Sequence, residues 1–130
     1  MKKMRVHMIE DFTEMSELAA EEIINELKTR PSLNLGLATG NSPVGVYSRL
    51  LEAFKQGRIS FSKSRVFILD EYYPISPENE LSFVGAIQRQ FLNHLDIPQD
   101  NVFYLDCLTG DPEGECRRYE REIIYFNFLY

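Results

Sequence analysis

Cysteine, histidine and positive charge are all scarce in this chain, and each shortage removes a class of function. The 130 residues hold two cysteines, Cys107 and Cys116, with no metal-ligand spacing between them. That excludes a disulfide scaffold and a zinc site, and makes a reduced, cytoplasmic setting the default. Two histidines, His7 and His94, stand without a partner motif, so both are read as structural or solvent-facing. Fourteen basic residues against twenty acidic ones leave a net charge of −6, which argues against nucleic acid or an anionic membrane as partner. There is no apolar run long enough to span a bilayer, no secretory leader, no internal repeat and no low-complexity stretch. The Gly-Lys-Ser/Thr of a Walker loop and the G-x-G-x-x-G of a dinucleotide site are also absent, so no cofactor and no metal is expected.

What remains is an ordinary globular composition, 44% hydrophobic, in which strand-like and helix-like segments alternate. Met4 to Ile9 reads as a first strand. Asp11 to Lys28 reads as an amphipathic helix with Phe12, Met15, Leu18, Ala19, Ile23 and Leu27 inward. Leu33 to Ala38 is a short apolar strand, and Pro43 to Lys55 a helix with Val44, Tyr47, Leu51 and Phe54 on one side, closed by Gly57. Arg65 to Leu69 is a strand, Tyr73 to Glu80 a loop, and Ser82 to Leu95 a helix. Val102 to Leu105 is a strand, and Asp111 with Pro112 opens a last helix to about Glu122. This order predicts an α/β, Rossmann-like three-layer sandwich, a mainly parallel sheet with helices on both faces. The tail from Ile123 to Tyr130 carries no charge and has the composition of a β-strand, to be paired with the sheet or with a partner chain, which leaves a homo-oligomer open.

Two strand ends carry the chemistry. After the first, Gly40 allows a sharp turn, and Ser42 followed by Pro43 reads as a side-chain cap with proline in the first helical position. Unpaired amides of the turn and of the helix start, with the helix dipole behind them, form a seat for a phosphate without any lysine. The same signal also fits a plain strand-to-helix turn. The second strand ends in Asp70, Glu71, Tyr72 and Tyr73, and ligands of open parallel sheets bind beyond the carboxyl ends of the strands. A carboxylate beside an anion seat is equipped to move a proton on a phosphorylated substrate. The plain alternative has Asp70 capping a turn and Glu71 in water.

Four strings in order, LGLATGNSPVGVY, FILDEYYPISPENELSF, FLNHLDIPQDNVFYLDC and ECRRYEREI, resemble the first half of the glucosamine-6-phosphate deaminases, within the wider glucosamine/galactosamine-6-phosphate isomerase and 6-phosphogluconolactonase family. The likeness runs over about residues 5 to 123, with 124–130 atypical. It implies an enzyme of amino-sugar breakdown that turns glucosamine 6-phosphate and water into fructose 6-phosphate and ammonia. It further implies that Thr39, Gly40, Asn41 and Ser42 hold the phosphate and that Asp70 transfers the proton between the first two carbons, with Glu71 and Tyr72 supporting. Enolisation suits a partly buried carboxylate within reach of the acidic carbon. Tyr72 and the Gly-Asn-Ser-Pro turn lean away from the lactonase branch, a hydrolase, which shows Asp-Glu-Arg and Gly-Gly-Ser-Thr-Pro.

The resemblance also marks departures. Ser82, Phe83 and Val84 leave out a tyrosine hydroxyl that can line the site in relatives. The family continues past the equivalent of Tyr130 into an Asn/Asp-Gly-His segment with a catalytic histidine and a later lysine, so residues 1–130 read as a single truncated domain with weak or absent turnover. A non-catalytic sugar-phosphate sensor is the third reading; it need not keep the Asp-Glu-Tyr string and here lacks a DNA-reading helix.

Overall fold

The computed structural model describes residues 3–127. Its elements run α1 (Phe12–Thr29), β1 (Asn34–Leu37), α2 (Val44–Lys55), β2 (Arg65–Ile68), α3 (Phe83–Gln90), β3 (Val102–Phe103) and α4 (Pro112–Asn127), with single 3-10 turns at Leu92–His94 and Gln99–Asn101. The three strands form one parallel sheet in the order β1-β2-β3.

Register assigns the two faces. Leu35 pairs with Val66, Leu37 with Ile68 and Val66 with Val102, so these residues share one face. They meet α1, α2 and α3 in a core that includes Ala20, Ile24, Tyr47, Leu50, Ile87 and Phe91. Phe91 is its aromatic centre, stacked on Tyr47 at 4.8 Å and edge-on to Phe61 at 5.9 Å. The opposite face presents Gly36, which is exposed, and Phe67 and Phe103, which α4 covers with Tyr119 and Phe126. Helices therefore lie on both faces, as the alternating pattern predicts.

Capping explains where helices start. Asp11 caps α1 through its carboxylate on Glu14 N at 2.8 Å, and the Glu14 carboxylate reaches back to Glu10 N at 2.7 Å. Asp111 does the same for α4 on Gly114 N at 3.0 Å. The expected third helix ends earlier: Phe91 leaves helical geometry with φ −138 and ψ −66, so Leu92–His94 is a separate turn.

Further expectations need correction. Met4 to Ile9 is not a strand; it is exposed, with Met4 at 88% and Met8 at 91%, because no neighbouring strand among the described residues supplies a ladder. Arg5 ties it to α1, 3.4 Å from Glu22. The tail is helical rather than extended as far as Asn127, since α4 continues until Phe126 reaches Phe67 and Phe103 at 6.1 and 5.1 Å; residues 128–130 lie outside the described residues. The buried stripe of α1 is rotated to Ser16, Ala20, Ile24 and Leu27, leaving Phe12 exposed. Close approach of α2 is the reason: a Cβ on Gly45 would sit 2.1 Å from Ser16 Oγ, so only small residues fit that crossing. Likewise α2 turns Leu50 and Ala53 inward with Tyr47, and Val44 outward.

Candidate active site

β1 and β2 leave the sheet at the same edge. Their last register pair is Leu37 with Ile68, and Leu69 N donates to Leu37 O at 3.2 Å. Thr39 and Asp70 each lie two residues beyond that pair, so the glycine turn and the acidic string emerge side by side at the carboxyl rim.

The turn is open. Gly40 has φ +97, in the region that favours glycine, and no atom lies within 4 Å of where its Cβ would be. Gly40, Asn41 and Ser42 are exposed, and no protein acceptor for their amides occurs among the described residues. The predicted cap fails: α2 begins at Val44, Pro43 occupies the cap position at φ −82, and Ser42 makes no capping bond. A backbone turn from Val44 N to Asn41 O at 3.4 Å closes the entry instead. Beyond Val44, the amides of Gly45 and Val46 have no acceptor among the described residues and stand at the positive end of the α2 dipole.

Tyrosine hydroxyls hold the strand ends from below. Tyr47 Oη donates to Ala38 O at 2.5 Å, directly ahead of the turn, and burial pushes its pKa up to about 12. Tyr119 Oη lies 2.8 Å from Ile68 O and 2.9 Å from Phe103 O, and burial raises its pKa too. Sequence reasoning took Tyr47 only for core and did not single out Tyr119. The available signal was that a buried tyrosine needs a partner for its hydroxyl.

The acidic string divides into unlike parts. Asp70 is exposed, not partly buried as expected of the proton-transferring carboxylate, because the apolar run stops shielding at Leu69, itself 53% exposed. Glu71 is half-buried and does not point into water. Its carboxylate accepts from Ser82 Oγ at 2.8 Å, Phe83 N at 2.9 Å, Val84 N at 3.0 Å and Tyr72 N at 2.9 Å. Burial pushes its pKa upward, but these hydrogen bonds outweigh burial and hold it below the usual carboxylate range. Tyr72 is exposed, its ring 4.5 Å from that of Phe83. The loop that follows is pinned to the β3 side, by Tyr73 Oη on Thr109 O at 2.8 Å and by Ile75 N on Cys107 O at 3.2 Å.

Burial, then the charges of Glu71, Asp106 and Glu115, raises the Cys107 thiol, so it is a poor nucleophile. His94 is exposed in the turn after α3, its Nε2 2.9 Å from Arg89 O. His7 lies in the exposed N-terminal segment. Among the described residues no group of three His, Cys, Asp or Glu side chains is arranged to hold a metal. None of the described helices is long and apolar enough to cross a membrane. A cleft of about 330 Å³ between α1 and α2 is away from the rim, and its arginines Arg49 and Arg58 are paired with Glu17 and Glu21.

The family described as glucosamine-6-phosphate isomerases/6-phosphogluconolactonase matches residues 10–127. The chain belongs to this family. Among its relatives, a glucosamine-6-phosphate deaminase of Thermoanaerobacter sp. (strain X514) is 41% identical over 120 residues, covering 92% of this chain and 47% of the relative. One of Clostridium tetani (strain Massachusetts / E88) is 40% identical, covering 92% and 50%. In three dimensions a monomeric glucosamine-6-phosphate deaminase superposes with a TM-score of 0.89 at 31% identity, over 94% of this chain and 51% of that one. The 6-phosphogluconolactonase of Thermotoga maritima, at TM-score 0.72 and 24% identity, shares the fold over 92% of this chain and 53% of that one. This family member has the Rossmann-like arrangement expected, and it spans about half the length of the curated relatives it matches.

Proposed function

We propose that this isomerase-family chain is the phosphate-gripping and proton-transferring half of a glucosamine-6-phosphate deaminase. Thr39, Gly40, Asn41 and Ser42 would bind the phosphate of the sugar through backbone amides at the start of α2. Asp70, one strand over, would take the proton from the carbon beside the carbonyl or imine and return it to its neighbour. A grip on the far end of the substrate uses binding energy to position the reacting carbons, which is why the two functions sit on separate strand ends. The observation that carries this reading is the register of β1 and β2, which brings Thr39 and Asp70 out side by side.

Residues 1–130 alone are expected to turn over weakly or not at all. An acid that opens the sugar ring contributes about 10²- to 10⁴-fold, and neither His7 nor His94 is arranged to serve as one. The relatives named as deaminases, at 40 and 41% identity, favour that chemistry over lactone hydrolysis.

Amide chemical-shift titration of the 130-residue chain with inorganic phosphate and with glucosamine 6-phosphate tests the grip. Both ligands should move the Gly40, Asn41 and Ser42 signals in saturable fashion. Shifts confined to other parts of the chain would overturn the assignment. Ammonia release, assayed in parallel, should be at or near background; vigorous release would refute the expected need for a further acid.

A further inference from the structure

Glu71 joins the end of β2 to the start of α3. Its side chain leaves the end of β2 and closes on the first turn of α3, where Ser82 Oγ, Phe83 N and Val84 N all donate to it. Its fourth donor, Tyr72 N, belongs to the next residue in the chain. An ionised carboxylate offers about four acceptor sites, so four donors occupy it completely. It also carries the charge that suits a helix N-terminus. So saturated a group has no lone pair free for a substrate proton. Ser82, buried, completes the joint by accepting from Gly85 N at 3.2 Å.

Asp70 has nothing comparable. Its carboxylate is exposed and makes no hydrogen bond among the described residues, so its direction is set by its backbone alone. That backbone is held on one side by Tyr119 on Ile68 O and on the other by Glu71. Productive geometry tolerates only about 0.5 Å and 10–20° of error, and a misplacement of about 1 Å costs on the order of 10²-fold.

We propose that Glu71 is the positioning residue for Asp70: its carboxylate, by bridging Tyr72 N to the start of α3, fixes the backbone from which Asp70 projects. The idea rests on the reading of Asp70 as the base, but its test is independent of turnover. Backbone ¹⁵N relaxation at neutral pH would be compared in the 130-residue chain and its E71A, E71Q and S82A variants. In the parent chain the Asp70 and Tyr72 amides should be rigid, with order parameters of about 0.85, falling below about 0.6 in E71A and part-way in E71Q. S82A weakens the same helix start without touching the bond to Tyr72, and should leave Asp70 rigid even where it lowers the melting temperature as much. Rigid Asp70 in E71A and E71Q, or equal loosening in S82A, would overturn the proposal. If E71A does not fold, E71Q decides, since its single carbonyl oxygen cannot replace both carboxylate oxygens. Failure of Asp70 as the base would be seen separately, as retained activity in D70N of an active longer form.

Discussion

The Tyr119 hydroxyl sits between the carbonyls of Ile68 and Phe103, 2.8 and 2.9 Å away, and so ties the ends of β2 and β3 together from α4. Both carbonyls stand where the ladder stops, and a strand end without a partner carries the full cost of an unmet acceptor. Y119F keeps the ring against Phe67 and removes only the hydroxyl. It should lower stability by about 1–2 kcal/mol in urea unfolding with an unchanged slope. A loss within the measurement error would mean that water replaces the hydroxyl freely.

Two glycines flank the start of α2 and should respond to alanine differently. At Gly40 there is room for a methyl group, but φ is +97, so G40A should cost about 1–2 kcal/mol by backbone strain and weaken phosphate binding. At Gly45 the backbone is ordinary helix, but the new methyl would collide with Ser16, so G45A should destabilise by about 1–3 kcal/mol through α1 and α2. Paired melting and phosphate titrations check this, with phosphate affinity per folded molecule falling in G40A and holding in G45A.

Legibility of the chain followed the range of the forces involved. Helix starts set by a local side chain were readable, as at Asp111 with Pro112; the same pattern misled at Ser42 with Pro43, where a backbone turn closed the entry. The strand ends of β1 and β2 and their shared rim followed from apolar runs and parallel topology. Met4 to Ile9 has the composition of a strand, but composition cannot supply the neighbour that a ladder needs. Ile123 to Asn127 also reads as strand, and there the contact of Phe126 with Phe67 and Phe103 outweighs local preference. Glu71 looked like a companion to Asp70 because its donors, Ser82, Phe83 and Val84, lie across a loop that sequence spacing does not close.

Asp70 offers a clean separation of stability from chemistry. Being exposed and unbonded among the described residues, it should tolerate D70N within about 0.5 kcal/mol. Phosphate titration of Gly40, Asn41 and Ser42 should be unchanged, because the grip is on the other strand. In a longer, active form carrying this half, D70N should cost about 10²- to 10⁴-fold in kcat. Activity near the parent level would show that another group is the base.

Acid sensitivity should report the Glu71 joint. The hydrogen bonds from Ser82, Phe83, Val84 and Tyr72 hold its folded pKa below the ordinary 4.5, against the opposing push of burial. A carboxylate with a depressed folded pKa binds fewer protons folded than unfolded. Its stabilisation is therefore complete above the unfolded value and disappears as pH falls through the folded one. Glu115, depressed first by its hydrogen bond from Arg118, adds to the same acid limb, so the wild-type curve alone cannot isolate Glu71. The difference between wild type and E71Q does. That gap, measured by urea unfolding between pH 7 and pH 3, should be widest and flat above about pH 4.5 and narrow steadily below it. A gap that stays constant to the acid end would show that the carboxylate's charge contributes nothing to the bridge between Tyr72 and α3.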